Sequence, residues 1–188
     1  MNAPSHTLPA SLAGVTVRVA QPSDIGPLQQ LYASLSTQTR AQRFFSPLRE
    51  LPRALLNALE CGDPAHRFLV IEGPEAKGDR ALLGLGQYAV ELAQSRCELA
   101  LLIADDWQGC GLGGRLLDQL LQDAGASGLR QARLETLHGN LAMLALARRA
   151  GFSVRTHPED PLLLLACRAL AGQDPHARVR AQAIAAAM

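Results

Sequence analysis

The spacing of hydrophobic residues changes period several times along this chain. VTVRVA, Val15 to Ala20, alternates as a strand does. After the turn QPSD, where Ser23 or Asp24 stands as a helix N-cap, Ile25, Leu28, Leu31, Tyr32 and Leu35 recur at helical spacing. Two more helices are predicted over TQTRAQRFF and LRELPRALLNALE, the second with Pro52 near its start. The pattern then returns to strands. HRFLVIEG is followed by the turn PEAKGD, and RALLGLGQYAVEL and RCELALLIA are joined by a short polar link at Gln94 and Ser95, which together predict an antiparallel meander. Leu112, Leu116, Leu117, Leu120, Leu121 and Ala124 mark one face of a helix that ends at GASG. RQARLETL is a strand, and GNLAMLALARRAG is a helix with Asn140 at its start and Gly151 at its stop. FSVRT and PLLLLACRAL close the series as two strands across the turn HPEDP. The order β-ααα-βββ-α-β-α-ββ predicts an α+β fold with one mixed, mostly antiparallel central sheet flanked by helices. Residues 1–13 lack periodicity and are expected to be disordered, residues 14–170 to form one domain, and residues 171–188 to be an Ala-rich tail.

Composition narrows the function. A chain of 188 residues and 20.0 kDa suits one sizeable core. A net charge of +1 supplies no field for nucleic acid or an anionic membrane, and no apolar run approaches the roughly 20 residues of a membrane span. The N-terminal MNAPSHTLPASLAG has neither the basic nor the apolar region of a signal peptide. Cys61, Cys97, Cys110 and Cys167 have no C-x-x-C or zinc spacing, so they are expected to be free thiols in a reducing cytoplasm, with no metal site.

The chemistry concentrates in DWQGCGLGGRLL, Asp106 to Leu117, between a strand and a helix. The first N–H groups of a helix have no internal partners, and the helix dipole adds positive charge there. Glycine lets a ligand approach the backbone, so the segment reads as a cradle for phosphate or pyrophosphate. A nucleotide P-loop would need a Lys-Ser/Thr pair, which is missing. The dinucleotide pattern is nominally present over Gly109 to Gly114, but it follows a meander rather than opening a βαβ unit.

Gln108-Gly109-Cys110-Gly111-Leu112-Gly113 resembles the Q/R-x-x-G-x-G/A motif of the GNAT N-acetyltransferase superfamily, where the loop holds the pyrophosphate of acetyl-CoA. NLAMLALARRAGF resembles the second signature of that family, an Asn followed eleven residues later by Gly-Phe. The resemblance runs from about Val15 to Leu165. LSTQTRAQRFFSPLRELP, CELALLIADDWQGCGLG and NLAMLALARRAGFSVRTHPEDP are most similar to the GNAT domain of bacterial protein lysine acetyltransferases. It implies acetyl-CoA as acyl-donor co-substrate. The glycine loop with Gly114 would hold the pyrophosphate, the backbone at Leu101, Leu102 and Ile103 the pantetheine arm, and Asn140 would contact the cofactor or orient the site. The other reading of Asn140 is as the cap of the following helix.

The reaction needs a base, because a lysine amine arrives protonated. Glu98 is the candidate. On a strand it shares a face with Ala100 and Leu102, opposite Leu99, Leu101 and Ile103, and an apolar setting raises a carboxyl pKa. Glu98 to Ile103 spans roughly 16 Å at about 3.3 Å per residue, comparable to an extended pantetheine arm. The family resemblance places the general-base Glu here too. The alternative is an ion pair with Arg96 or another arginine. A backbone N–H near Leu101 or Leu102 is the candidate oxyanion donor.

Two positions depart from the family pattern. Ala147 stands where many relatives carry a Tyr acid, which leaves thiolate departure, Tyr88 or solvent. Cys110 stands where a loop Arg or Lys often supports the phosphates, with Arg115 one turn on as partial compensation. Cys110 is read as a small tolerated side chain, or else as a reactive thiol. Arg40 and Arg43 read as a solvated helix face or as acceptor contacts, and Phe44 and Phe45 as core or cleft wall. The function implied is acetyl-CoA-dependent N-acetylation of a protein lysine by a monomer or homodimer. The alternatives are acetylation of a small amine such as a polyamine or antibiotic, and a CoA-binding regulatory module without turnover.

Overall fold

The computed structural model describes residues 12–74 and 81–171, so most of the PEAKGD turn, residues 1–11 and the Ala-rich tail from residue 172 lie outside the described residues. The elements are β1 (Thr16–Val19), α1 (Ile25–Ser34), α2 (Thr37–Phe44), α3 (Arg53–Glu60), β2 (His66–Glu72), β3 (Leu82–Glu91), β4 (Arg96–Ile103), α4 (Leu112–Ala126), β5 (Gln131–Leu137), α5 (Leu141–Arg149), β6 (Ser153–Thr156) and β7 (Leu163–Ala169). Their order is the one the periodicity predicts.

Three local details differ from the expectation. α3 starts only at Arg53, and Leu48 to Leu51 are not helical, because the ring of Pro52 disfavours helical geometry in the residue before it. The link between β3 and β4 is a 3-10 turn, Leu92–Gln94, closed by Ser95 in the left-handed region at φ 47°. Asp24 precedes α1, yet its side chain does not cap that helix. Its carboxylate accepts two bonds from the Arg18 guanidinium, at 2.7 and 2.8 Å, and one from the Gln21 N–H at 2.7 Å. Arg18 also reaches Glu72 at 2.8 Å, which fastens β1 to β2.

The seven strands form one sheet in the order β1-β2-β3-β4-β5-β7-β6, and β4–β5 is the parallel pair. Strand alternation divides the core in two. Leu99, Leu101 and Ile103 of β4 pack with α4 and with Ala147 of α5, whereas Leu102 packs with α1 and α3 on the other face. Leu116, Leu117 and Leu120 of α4 are fully buried, a burial worth about 1.5–3 kcal/mol for each side chain. Gly86 on β3 lets α4 lie this close: a Cβ there would stand 2.8 Å from Leu120 Cδ1 and 2.9 Å from Leu116 Cγ, whereas one at Gly84 would meet the neighbouring strand, 2.8 Å from Ile103 Cδ1. Among the described residues no helix is long and apolar enough to cross a membrane.

Candidate active site

The parallel pairing of β4 with β5 ends at Leu99 and Leu134. Beyond that point β4 stays with β3, as far as the Gly84–Ile103 pair, and β5 stays with β7, as far as the Leu137–Leu163 pair. The two central strands therefore splay, and Ala100 to Ile103 keep an edge with no strand partner. A cavity of about 560 Å³ fills the wedge. β4 lines it from Leu99 to Ile103, β5 with Leu134, Glu135 and Thr136, and α5 with Asn140, Ala142, Met143, Ala145, Leu146 and Arg149. The glycine loop contributes Gln108, Gly109, Gly111, Gly113 and Gly114, and α2 contributes Thr39, Gln42 and Arg43.

Backbone conformation explains the glycines of the loop. Gly109 and Gly111 sit at φ 77° and 91°, in the left-handed region that side chains disfavour. A Cβ at Gly113 or Gly114 would come within 3.5 and 4.0 Å of Leu146 methyl carbons, across the cleft. The bond from Arg115 N to Gly111 O, at 3.2 Å, opens the ladder of α4. The N–H groups of Leu112, Gly113 and Gly114 precede it, so they are free to donate to an anion. The cradle thus fits the pyrophosphate of acetyl-CoA, and the unpaired edge of β4 fits the amide groups of a pantetheine arm.

The loop is braced from below. The Gln108 amide donates to Ile103 O at 3.1 Å, Thr39 Oγ1 at 3.1 Å and Asp105 Oδ1 at 3.2 Å. Asp105 in turn accepts from the Ser36 N–H at 2.6 Å, from Ser36 Oγ at 3.2 Å and from the Thr39 hydroxyl, so it joins the loop to α2. Two predicted loop residues lie off the cleft. Leu112 is buried in the core, and the Cys110 thiol donates to Trp107 O at 2.7 Å. Arg115 donates to Val15 O at 3.2 Å and does not replace the missing loop cation. Arg149, exposed on α5, brings a cation to the cleft instead. Its signal in the sequence is the helical series Ala142, Ala145, Leu146 and Arg149, at i, i+3, i+4 and i+7.

Glu98 lies one residue before the wedge, on the face that carries α1, α2 and α3, and pairs in register with Ala89 and Arg133. The expected alternative partner, Arg96, bonds Glu91 instead at 2.8 Å, and Glu98 has no ion pair within 4.0 Å among the described residues. The residue is exposed, and it stands beside the cavity rather than among the residues that line it. Desolvation on the protein side raises its pKa; the Glu135 carboxylate adds to the rise and Arg133 opposes it.

Glu135 was not among the sequence candidates, although it alternates with Arg133 on one face of β5. It meets His157 Nε2 at 3.2 Å and Arg133 at 3.8 Å. Thr136, also unforeseen, is buried with its hydroxyl unpaired. Asn140 caps α5, its Oδ1 accepting the Met143 N–H at 3.1 Å, and the residue lines the cleft. Ala147 is buried in the core, and Tyr88, on the α4 face with its hydroxyl 3.3 Å from Ser127 Oγ, does not line the cleft. Arg43 is half-buried rather than fully solvated, and its Nη2 is sealed from solvent. Arg40 reaches the Leu35 carbonyl at 2.8 and 3.0 Å. Phe44 packs edge-on to Tyr32 with ring centroids 5.7 Å apart, whereas Phe45 ends α2 in the left-handed region and is exposed.

Known proteins share this frame. The model of the acetyltransferase (GNAT) family matches residues 28–152. Acetyltransferase PA5475 of Pseudomonas aeruginosa is 31% identical over 146 residues, 78% of either chain. The GNAT domain of S. lividans PAT superposes with a TM-score of 0.73 at 20% identity, covering 90% of this chain and 100% of that one. Spermidine N-acetyltransferase from Vibrio cholerae, solved with CoA and spermine, gives 0.68 at 19% identity over 85% and 97%. The chain belongs to the acetyltransferase (GNAT) family and is an acetyl-CoA-dependent N-acetyltransferase.

Proposed function

We propose that the acceptor is a lysine side chain of a protein and that Glu98 is the base. The observation that carries this reading is the placement of Glu98: a partly desolvated carboxyl with no ion pair among the described residues, where the β4–β5 pairing ends and the wedge opens onto the α2 face. Acetyl-CoA supplies the acetyl thioester. The N–H groups at the start of α4 and the glycine loop hold its pyrophosphate, and Arg149 adds a cation beside them. The edge of β4 orients the arm. Glu98 takes a proton from the incoming ammonium, directly or through a water, and the freed nitrogen attacks the thioester carbonyl. A β4 backbone N–H at Leu101 or Leu102 donates to the developing oxyanion. CoA leaves as the thiolate, because the Tyr position of relatives holds Ala147.

Arginine on the acceptor side disfavours the polyamine reading. Arg43 lines the α2 wall, where a polycation would need a carboxylate. The test follows thiol release from acetyl-CoA over a panel of lysine-rich proteins and a panel of polyamines, with wild type and Glu98→Gln. Turnover on protein that falls by about 10²–10⁴-fold in the variant, with acetyl-CoA affinity retained, is the expected result. Turnover confined to polyamines would sink the lysine reading. Acetyl-CoA binding without turnover on any acceptor would instead fit a regulatory module.

A further inference from the structure

A second cavity, of about 540 Å³, lies behind α2, between α3 and the ends of β2 and β3. Arg43 lines both this cavity and the wedge, so its side chain forms part of the wall between them. Its Nη2 is buried and has no hydrogen-bond partner among the described residues. The guanidinium lies 4.4 Å above the Phe44 ring, and burial pulls its pKa down to about 10. A guanidinium nitrogen buried without an acceptor costs free energy in a finished fold.

The neighbouring cations are satisfied: Arg96 by Glu91, Arg133 by Glu135, Arg40 by the Leu35 carbonyl. Gln87 stands beside Ala100 in register, lines the second cavity, and buries its Oε1 equally unpartnered. Glu98 has no ion pair among the described residues, and Arg43 acts on it only through space, beyond 4.0 Å. With Arg149 turned to the pyrophosphate side, the acceptor side therefore presents the Arg43 cation and the Glu98 anion to whatever enters. Its complement is an amine that carries its own carboxylate.

We propose that the acceptor bears a carboxylate close to its reacting amine, and that Arg43 receives this carboxylate while the amine goes to Glu98. Combined with the protein-lysine reading, on which this form rests, the substrate is a lysine flanked by an acidic residue. A free amino acid presents the same two groups. Arg43 is thereby a specificity-determining residue that disfavours a second positive charge beside the reacting amine.

The test uses the full chain with acetyl-CoA and peptides holding one lysine flanked by acidic, alanine or arginine residues. Free lysine is compared with cadaverine, the same amine without its carboxylate. Wild type should favour the acid-flanked peptide over the arginine-flanked one by roughly 10–100-fold, the range of one strong charge-assisted pair. Arg43→Met should erase the preference through KM, and Arg43→Glu should reverse it. The melting temperature of free Arg43→Met should equal or exceed that of wild type, whereas a merely structural arginine would lower it. Equal rates on all peptides in wild type would overturn the inference and leave the lysine reading intact. Turnover of free lysine over cadaverine without any peptide turnover would sink the lysine reading and support Arg43. If no acceptor turns over, equilibrium binding of the acid- and arginine-flanked peptides to the CoA-loaded protein decides, and equal affinities overturn the inference.

Discussion

Replacing Asp105 with alanine should loosen α2 from the glycine loop and so disturb two walls of the cleft at once. Asp105 Oδ2 accepts the Ser36 N–H at 2.6 Å, and Oδ1 gathers the Ser36 and Thr39 hydroxyls and the Gln108 amide. Ser36 in turn caps α2 by accepting the Thr39 N–H at 3.2 Å. A hydrogen bond to a charged group is worth about 1.5–3 kcal/mol when its loss strands the partner. Ser36 is exposed and its donors regain water, and Gln108 keeps Ile103 O as an acceptor, so these bonds count for little. Thr39 is buried and does not recover. The net loss is therefore one to two effective bonds, about 2–3 kcal/mol, or a fall in Tm of about 5–10 °C for a chain of this length. Neighbouring Asp106 is exposed with no bond among the described residues, and Asp106→Ala should stay within about 0.5 kcal/mol of wild type. Thermal unfolding of the two variants measures the difference, and hydrogen exchange should locate the loosening in α2. Acetyl-CoA affinity should also fall, because Thr39, Gln42 and Arg43 line the cleft. An Asp105→Ala protein as stable as Asp106→Ala, with unchanged exchange in α2, would refute the bracing role.

Further outcomes follow from packing and charge. Gly86→Ala places a methyl 2.8–3.0 Å from atoms of Leu116 and Leu120, both fully buried, and should cost about 1–3 kcal/mol in chemical or thermal unfolding; a neutral result would mean that α4 can shift freely. With Glu98 as base, kcat/KM should rise with pH through a value above the ordinary carboxylate range, as the raised pKa requires. Removing the neighbouring anion with Glu135→Gln should move that limb to lower pH, and removing the opposing cation with Arg133→Gln should move it higher; a limb that ignores both would exclude Glu98. A raised carboxyl pKa also favours the protonated form in the fold, so its stabilising effect is complete below the unfolded pKa and is lost as pH rises. Glu98→Gln should therefore match or exceed the Tm of wild type at pH 7.

The chain's own pattern determined a good deal. Element order and type follow from residues two, three or four positions apart, and so do the split of β4 into a Leu99–Leu101–Ile103 face and a Glu98–Ala100–Leu102 face and the helix start at a bare loop. Strands and helices are built from such neighbours, so Gly109 and Gly111 announce a left-handed backbone and Asn140 a cap wherever they stand. The wedge was not legible, because it depends on where pairing between residues 99 and 134 stops, and no local period reports that. The same holds for Asp105, whose partners Ser36 and Thr39 are 69 and 66 residues away, and for Glu135 beside His157. Arg43 shows the limit most clearly. Its helix reads as polar, and the sealing of its Nη2 appears only when α2 closes over the sheet. Charge and burial at a site are sums over distant chain segments, and only the folded arrangement of those segments sets them.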